Sequence, residues 1–190
     1  MSGPIRAGTA GLAAALLAGC GGSQAPSAQA SDAGHQAGSM KLASTAFADG
    51  QAIPAEFTCD GAGRSPPLQW SEPPNGTQGF ALVVEDPDAP GGTFRHWGVY
   101  DLPMSARQLD TGAARSGASG LKQTENDFGE AGYGPPCPPK GEAAHHYRFR
   151  LMALDVPRLP GSSRQVEDIL KASSGHVLDS AELVATYGRG

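Results

Sequence analysis

The sequence predicts a mainly β domain with a peripheral helix near its C-terminus, and three stretches carry that prediction. Residues 80–85, FALVVE, are short, apolar and rich in β-branched side chains, the pattern of a strand buried on both faces. Residues 146–154, HYRFRLMAL, alternate, with Tyr147, Phe149, Leu151 and Ala153 on one face and Arg148, Arg150 and Met152 on the other. Val166, Ile169 and Leu170 fall at i, i+3 and i+4, one amphipathic helical stripe that Gly175 ends.

The other elements follow in order. Residues 40–47, MKLASTAF, alternate weakly and are expected to form a first strand. DGQAIP at 49–54 is a turn into an extended segment, and EFTCDG at 56–61 leads through a Gly-Ser-Pro loop to PLQW at 67–70. WGVYDL at 97–102 is a strand that Pro103 ends. Residues 104–131 are polar and glycine-rich with no period, a long excursion that closes on a turn at Asn126, Asp127, Phe128 and Gly129. AELVATY at 181–187 is a last strand, or a short helix followed by a strand. No internal repeat is present.

The first 19 residues stand apart. Arg6 is their one charge, and residues 7–19 are mostly Ala, Gly and Leu, too short and too weakly apolar to span a bilayer. They read as a secretory signal peptide. LAGC at 17–20 has the form of a bacterial lipobox, so cleavage before Cys20 and lipidation of its thiol are expected. Gly21 rather than Asp at the next position points to the outer membrane, facing the periplasm. Residues 21–39 contain no large apolar side chain and cannot offset their own ordering entropy, which makes 20–39 a lipidated cysteine and a tether. Residues 40–190 then form one domain, long enough for a real core. The net charge of −5 becomes −6 without Arg6. No basic run exceeds two residues, so nucleic acid is not an expected partner.

Chemistry concentrates in two loops. DPDAPGGTFRH at 86–96 puts Asp86 and Asp88 in a proline-punctuated turn after one apolar run and His96 at the head of the next. GYGPPCPPKGEAAHHY at 132–147 leads into another. Two such loops beside core strands form two walls of one polar pocket. Strand alternation sets His145 and Tyr147 on one face and His146 on the other, so the first two are the pocket candidates. Imidazoles and a phenol can donate to an oxyanion, and the carboxylates can hold the imidazoles in orientation and protonated. The same groups could ligate a divalent metal. G-x-S-x-G, G-x-x-x-x-G-K-[ST], H-E-x-x-H and C-x-x-C are all missing, and nothing pairs Ser65 or Ser119 with a base. With Cys20 lipidated, Cys59 and Cys137 remain in an oxidising setting as candidates for a disulfide between the pocket walls, if the fold brings their Cα atoms close enough.

DPDAP at 86–90, HWGVYDLP at 96–103 and GYGPPCPPKGEAAHHYRFRLMALD at 132–155 resemble the phosphatidylethanolamine-binding protein family, in particular its bacterial, Raf kinase inhibitor-like branch. FTCDG at 57–61 with SPPLQW at 65–70, and GHVLDSAELVATY at 175–187, resemble the same branch. The resemblance implies a large antiparallel central sheet packed on a smaller one, with a C-terminal helix. It implies a pocket for phosphate, acetate or a phospholipid headgroup such as phosphorylethanolamine, with no cofactor, no metal and no catalysis. Carried over by position, the ligand-binding residues are Asp86, Asp88, His96, Pro138, Pro139, His145 and Tyr147. The family has Arg where this chain has His146, on the strand face away from the pocket.

The expected function is therefore a lipid-anchored, extracytoplasmic domain binding a small anion. Two rivals use the same residues. One is an interaction or inhibitor module, of the kinase- or protease-inhibitor kind, that accepts an anionic group from a protein partner. The other is a metal-dependent hydrolase.

Overall fold

The strongest constraint on the fold is the strand β3 (Gly79–Asp86), whose side chains are buried almost without interruption on both faces. In the computed structural model, which describes residues 39–115, 120–161 and 164–190, β3 lies in the middle of a five-stranded antiparallel sheet. The predicted signal peptide, Cys20 and nearly all of the tether lie outside the described residues, as does Ser119.

Its neighbours are β4 (Phe94–Pro103) and β7 (His145–Leu154). The edges are β6 (Lys122–Gln123), beside β4, and β8 (Val177–Tyr187), beside β7. A second sheet of three short antiparallel strands runs in the order β1 (Leu42–Ala43), β2 (Leu68–Trp70), β5 (Gln108–Leu109). This is the mainly β fold with a C-terminal helix that the sequence predicts, in the two-sheet arrangement that the family resemblance implies.

Alternation sorts the side chains of β3 between two cores. Phe80, Leu82 and Val84 pack with Phe149, Leu151 and Trp97 of the large sheet and with Leu42, Leu68, Trp70 and Leu109 of the small one. Ala81 and Val83 face the other way and pack with Val166 and Ile169 of α1 (Val166–Ser173). The helix begins in a capping box, Gln165 accepting from the N–H of Asp168 while the Asp168 carboxylate accepts from the N–H of Gln165. Gly98 of β4 lets α1 approach: a Cβ there would run into Thr124 Oγ1, come within 2.8 Å of Ile169 Cδ1 and within 3.2 Å of Val166 Cγ2.

Three expectations change. The first strand shrinks from 40–47 to Leu42–Ala43, because the Ser44 hydroxyl donates to Pro67 O at 2.7 Å and accepts from Ala46 N–H at 3.1 Å, turning the chain out of the ladder. The excursion at 104–131 contains β5 and β6, strands of two residues each, too short to leave a period. The segment at 181–187 needs no helix: it is the second half of β8, paired along its length with β7.

Segment 49–53 covers part of the outer edge of β8, with Gly50 N–H donating to Val184 O and Ile53 N–H to Thr186 O, both at 2.8 Å. Met40 N–H donates to the Asp179 carboxylate at 2.7 Å, fixing where the chain enters the domain. Gly98→Ala is expected to destabilise the protein by about 1–3 kcal/mol, since it overpacks a site with no free volume. Urea unfolding with an unchanged slope and a lowered midpoint would show it; an unchanged midpoint would mean that α1 can move away freely.

Candidate functional site

The row Phe80, Leu82, Val84 continues on the same face of β3 to Asp86, and the row Phe149, Tyr147 on β7 continues to His145. At this end of the large sheet the inner face turns polar while staying buried. Asp86, His96 and His145 are 3%, 3% and 5% exposed, values that demand partners.

His96 reaches this face through a bulge. Val84 pairs with Trp97 and Glu85 with Arg95, so His96 is the extra residue of β4. Strict alternation would put consecutive residues on opposite faces, yet Trp97 lies in the inter-sheet core and His96 packs edge-on against Tyr147, ring centroids 5.2 Å apart. The bulge re-aims the imidazole toward the pocket.

Each polar group is held. Asp86 Oδ2 accepts from His145 Nδ1–H at 2.7 Å, and Asp86 Oδ1 accepts from the backbone N–H of Asp88 at 2.9 Å, closing the turn that the sequence DPD sets up. His145 Nε2 lies 3.7 Å from Glu142 Oε2. Burial alone would lower the pKa of His145, but the hydrogen bond and charge of Asp86 outweigh it, and the net direction is upward. His96 goes the other way: burial holds its pKa below the usual imidazole value. Its Nδ1 donates to Gly134 O at 2.8 Å, and because a carbonyl can only accept, the neutral ring carries its proton there and leaves Nε2 as an acceptor. Tyr147 is fully buried and its hydroxyl has no protein partner. Burial first, and then the charge of Asp86, pushes its phenol far above the ordinary range, so it serves only as the neutral phenol.

These side chains floor a cavity of about 160 Å³, lined also by Ala89, Pro90, Phe94, Phe128, Cys137, Pro138 and Pro139. Six of the seven predicted residues line it: Asp86, His96, Pro138, Pro139, His145 and Tyr147. Asp88 stands behind the wall instead. Its Oδ2 accepts from the backbone N–H of His146 at 2.8 Å and from His146 Nδ1–H at 2.7 Å, contacts that hold its pKa below the usual carboxylate value. His146 thus ties the first loop to the head of β7 from the solvent side.

Sequence reasoning missed the two phenylalanines. Phe94 and Phe128 meet edge-on at 4.7 Å and both contact the His96 ring, at 5.0 and 5.6 Å. Phe128 is half exposed at the mouth, held by a loop that Asn126 braces by accepting from the N–H groups of Phe128 and Glu130 and donating to Gly132 O. A Cβ on Gly134 would sit 2.5 Å from the Phe128 ring, so that glycine makes room for the wall. Phe94 lies one turn from the carboxylates and was readable as an aromatic next to His96; Phe128 is placed only by the loop geometry.

Cys59 and Cys137 form the disulfide, their Cα atoms 5.4 Å apart. Ser65 is buried with its Oγ accepting from Ala114 N–H, a structural contact. Among the described residues, no group of three or more His, Cys, Asp and Glu side chains is placed to hold a metal ion.

A two-sheet β domain with a small, mostly apolar cavity over a buried Asp, His and Tyr floor is capable of binding a ligand. The family model described as "Phosphatidylethanolamine-binding protein" matches residues 43–188, and the chain belongs to that family, whose members are typically non-catalytic. It is 44% identical over 154 residues to a UPF0098 protein of Aquifex aeolicus, covering 79% of this chain and 89% of that one. It is 38% identical over 198 residues to "Putative lipoprotein LppC" of Mycobacterium tuberculosis, covering 94% of each. Among solved structures it is similar to E. coli YbcL, described as a member of the mammalian PEBP family. That match has 32% identity and a TM-score of 0.74, and covers 80% of this chain and 100% of the other.

The two pocket histidines are expected to titrate on opposite sides of the unperturbed value near 6.5, His145 above it and His96 below it. For His145, a pKa raised by folding contributes stability that is full below the unfolded value and is lost as pH rises through the folded one. Imidazole NMR titration of the wild type and Asp86→Asn would check both. In the variant the His145 midpoint should fall while that of His96 shifts little. A His145 midpoint that stays put would remove Asp86 as its cause.

Proposed function

We propose that this protein is a lipid-anchored, extracytoplasmic binding protein whose pocket takes a small oxyanion: phosphate, a carboxylate, or a phospholipid headgroup such as phosphorylethanolamine. The observation that carries this reading is the buried Tyr147 hydroxyl without a protein partner, beside an imidazole whose pKa the hydrogen bond and charge of Asp86 raise. Buried hydroxyls are rarely left unsatisfied. Tyr147 O–H and His145 Nε2–H are donors, and His96 Nε2 is an acceptor. That set suits a singly charged oxyanion still carrying an O–H or N–H, more than a dianion facing Asp86 and Glu142.

Asp86, His96, His145 and Tyr147 act as the polar shell in this reading, with Pro138 and Pro139 as a stiff rim. Asp88 contributes by positioning through His146. Assignment to the bacterial, Raf kinase inhibitor-like branch is part of the same proposal, supported by the FTCDG and SPPLQW motifs and by the UPF0098 relative.

Anchoring through Cys20, with outer-membrane sorting toward the periplasm, has its own support. The LppC match covers 94% of this chain, so it takes in most of the residues before Met40, whereas the UPF0098 match covers 79%. The relative named as a lipoprotein is thus similar beyond the binding domain. Among the described residues no helix is long and apolar enough to cross a membrane.

Calorimetric titration of the purified protein with inorganic phosphate and with phosphorylethanolamine tests the pocket. Saturable binding is expected in the wild type, weakened about tenfold or more in Tyr147→Phe and His145→Ala, the scale of one lost hydrogen bond to a charged group. Affinity should fall as pH rises through the elevated His145 pKa. No heat and no shift perturbation at millimolar ligand would overturn the reading. Mass spectrometry of the membrane-extracted protein would read the anchor, which requires diacylglycerol on Cys20.

A further inference from the structure

We infer that the Cys59–Cys137 disulfide is a reducible latch on the pocket, setting ligand affinity by the redox state of the surroundings; the inference rests on the binding function proposed above. Cys137 lines the cavity between Pro138, also in the lining, and Pro136. The rim segment 135–139 reads Pro-Pro-Cys-Pro-Pro. Four of its five residues have no backbone N–H, so the rim cannot be held by donating into a ladder. The remaining donor, Cys137 N–H, has no partner among the described residues.

The flanks of this rim are pinned, Gly134 N–H donating to His96 O and Gly134 O accepting from His96 Nδ1–H, both at 2.8 Å, and Gly141 N–H donating to Arg189 O at 2.9 Å, while the ties of the rim to the loop at 57–61 are few. Pro136 O accepts from Cys59 N–H at 3.1 Å, and just before the rim Tyr133 O–H donates to Phe57 O at 3.0 Å. The third tie is the disulfide. These three are the ties that join the rim and Tyr133 to the loop at 57–61. That loop is itself anchored: Asp60 accepts from Tyr187 O–H at 2.6 Å and from Arg189 through Nε and Nη2 at 3.0 and 2.9 Å. Tyr187 pairs in register with His145, the opposite wall of the pocket. A closed circuit results, from His145 across β8 to Asp60, through Cys59 to Cys137, and back to the cavity along Pro138 and Pro139. The disulfide is its one covalent link between loops, closing a sequence separation of 78 residues.

Cys137 is exposed at the surface, within reach of a protein dithiol. A thiolate of that reductant attacks Cys137 Sγ, the Cys59–Cys137 bond breaks, and Cys59 leaves as a thiolate that takes up a proton. The second thiol of the reductant then resolves the mixed disulfide, releasing Cys137 as a thiol. Two electrons and two protons pass to the pair, and the reductant ends as a disulfide. The inter-sheet core contains neither cysteine, so the fold is expected to persist while the rim is released.

The test compares oxidised protein, protein reduced with dithiothreitol, and Cys59→Ser with Cys137→Ser, using inorganic phosphate as the probe. Thiol alkylation confirms the redox state, and far-ultraviolet circular dichroism confirms the fold. Phosphate Kd is expected to rise at least tenfold on reduction and to return on reoxidation, with the double variant locked at the weak value. A Kd unchanged within twofold in fully alkylatable, folded protein overturns the latch. Reduction of the native protein carries the test should the double variant not fold. If oxidised protein binds no phosphate, the binding function fails instead. The latch is then read from amide exchange at Cys59, Gly134 and Gly141, whose N–H groups donate to Pro136 O, His96 O and Arg189 O, and from the His96 ring shift. Faster exchange with a moved ring on reduction supports it, and no change overturns it.

Discussion

The burial of β3 on both faces is the constraint from which the rest of the architecture follows. A strand that must cover Phe80, Leu82 and Val84 on one side and Ala81 and Val83 on the other needs two layers, one on each face of its sheet. The small sheet supplies one and α1 the other. Because side chains alternate, the same strand determines that its last residue, Asp86, lands on the inner face, beyond the point where apolar partners run out. The pocket is the place where one row of core positions stops being hydrophobic.

A buried carboxylate is costly unless satisfied, and Asp86 is satisfied by two groups of different kinds. The backbone N–H of Asp88 belongs to its own turn, and the His145 imidazole belongs to the next strand. In a cavity walled by Phe94, Phe128 and prolines, the pair favours the charged form of His145, whereas burial disfavours that of His96. One cavity therefore shifts its two histidines in opposite directions, His145 upward and His96 downward.

Much of this was legible before the structure, and the limits are physical. The alternation of β7 and the continuous apolar run of β3 are long signals, and they placed His145 and Tyr147 on one face and His146 on the other. The Asp88 carboxylate looked like a pocket group because DPD puts two acids in one turn, but the turn uses one inward and one outward. His96 could not be oriented by counting, since a bulge breaks the period at that residue. Phe128 sits in a stretch with no period, where only the hydrogen bonds of Asn126 and the bare Cα of Gly134 determine its place. The two-residue strands of the small sheet leave no pattern at all, because a ladder of that length is made by its neighbours.

The contact between Met40 and Asp179 has a geometric consequence. Asp179 pairs with Ala153 at one end of β7 and β8, and Tyr187 pairs with His145 at the other. At about 3.3 Å per residue the two ends are roughly 26 Å apart. The polypeptide thus joins the domain at the pole remote from the cavity mouth. A segment attached at Met40 and a ligand in the cavity therefore occupy opposite ends of the domain and do not compete for one face.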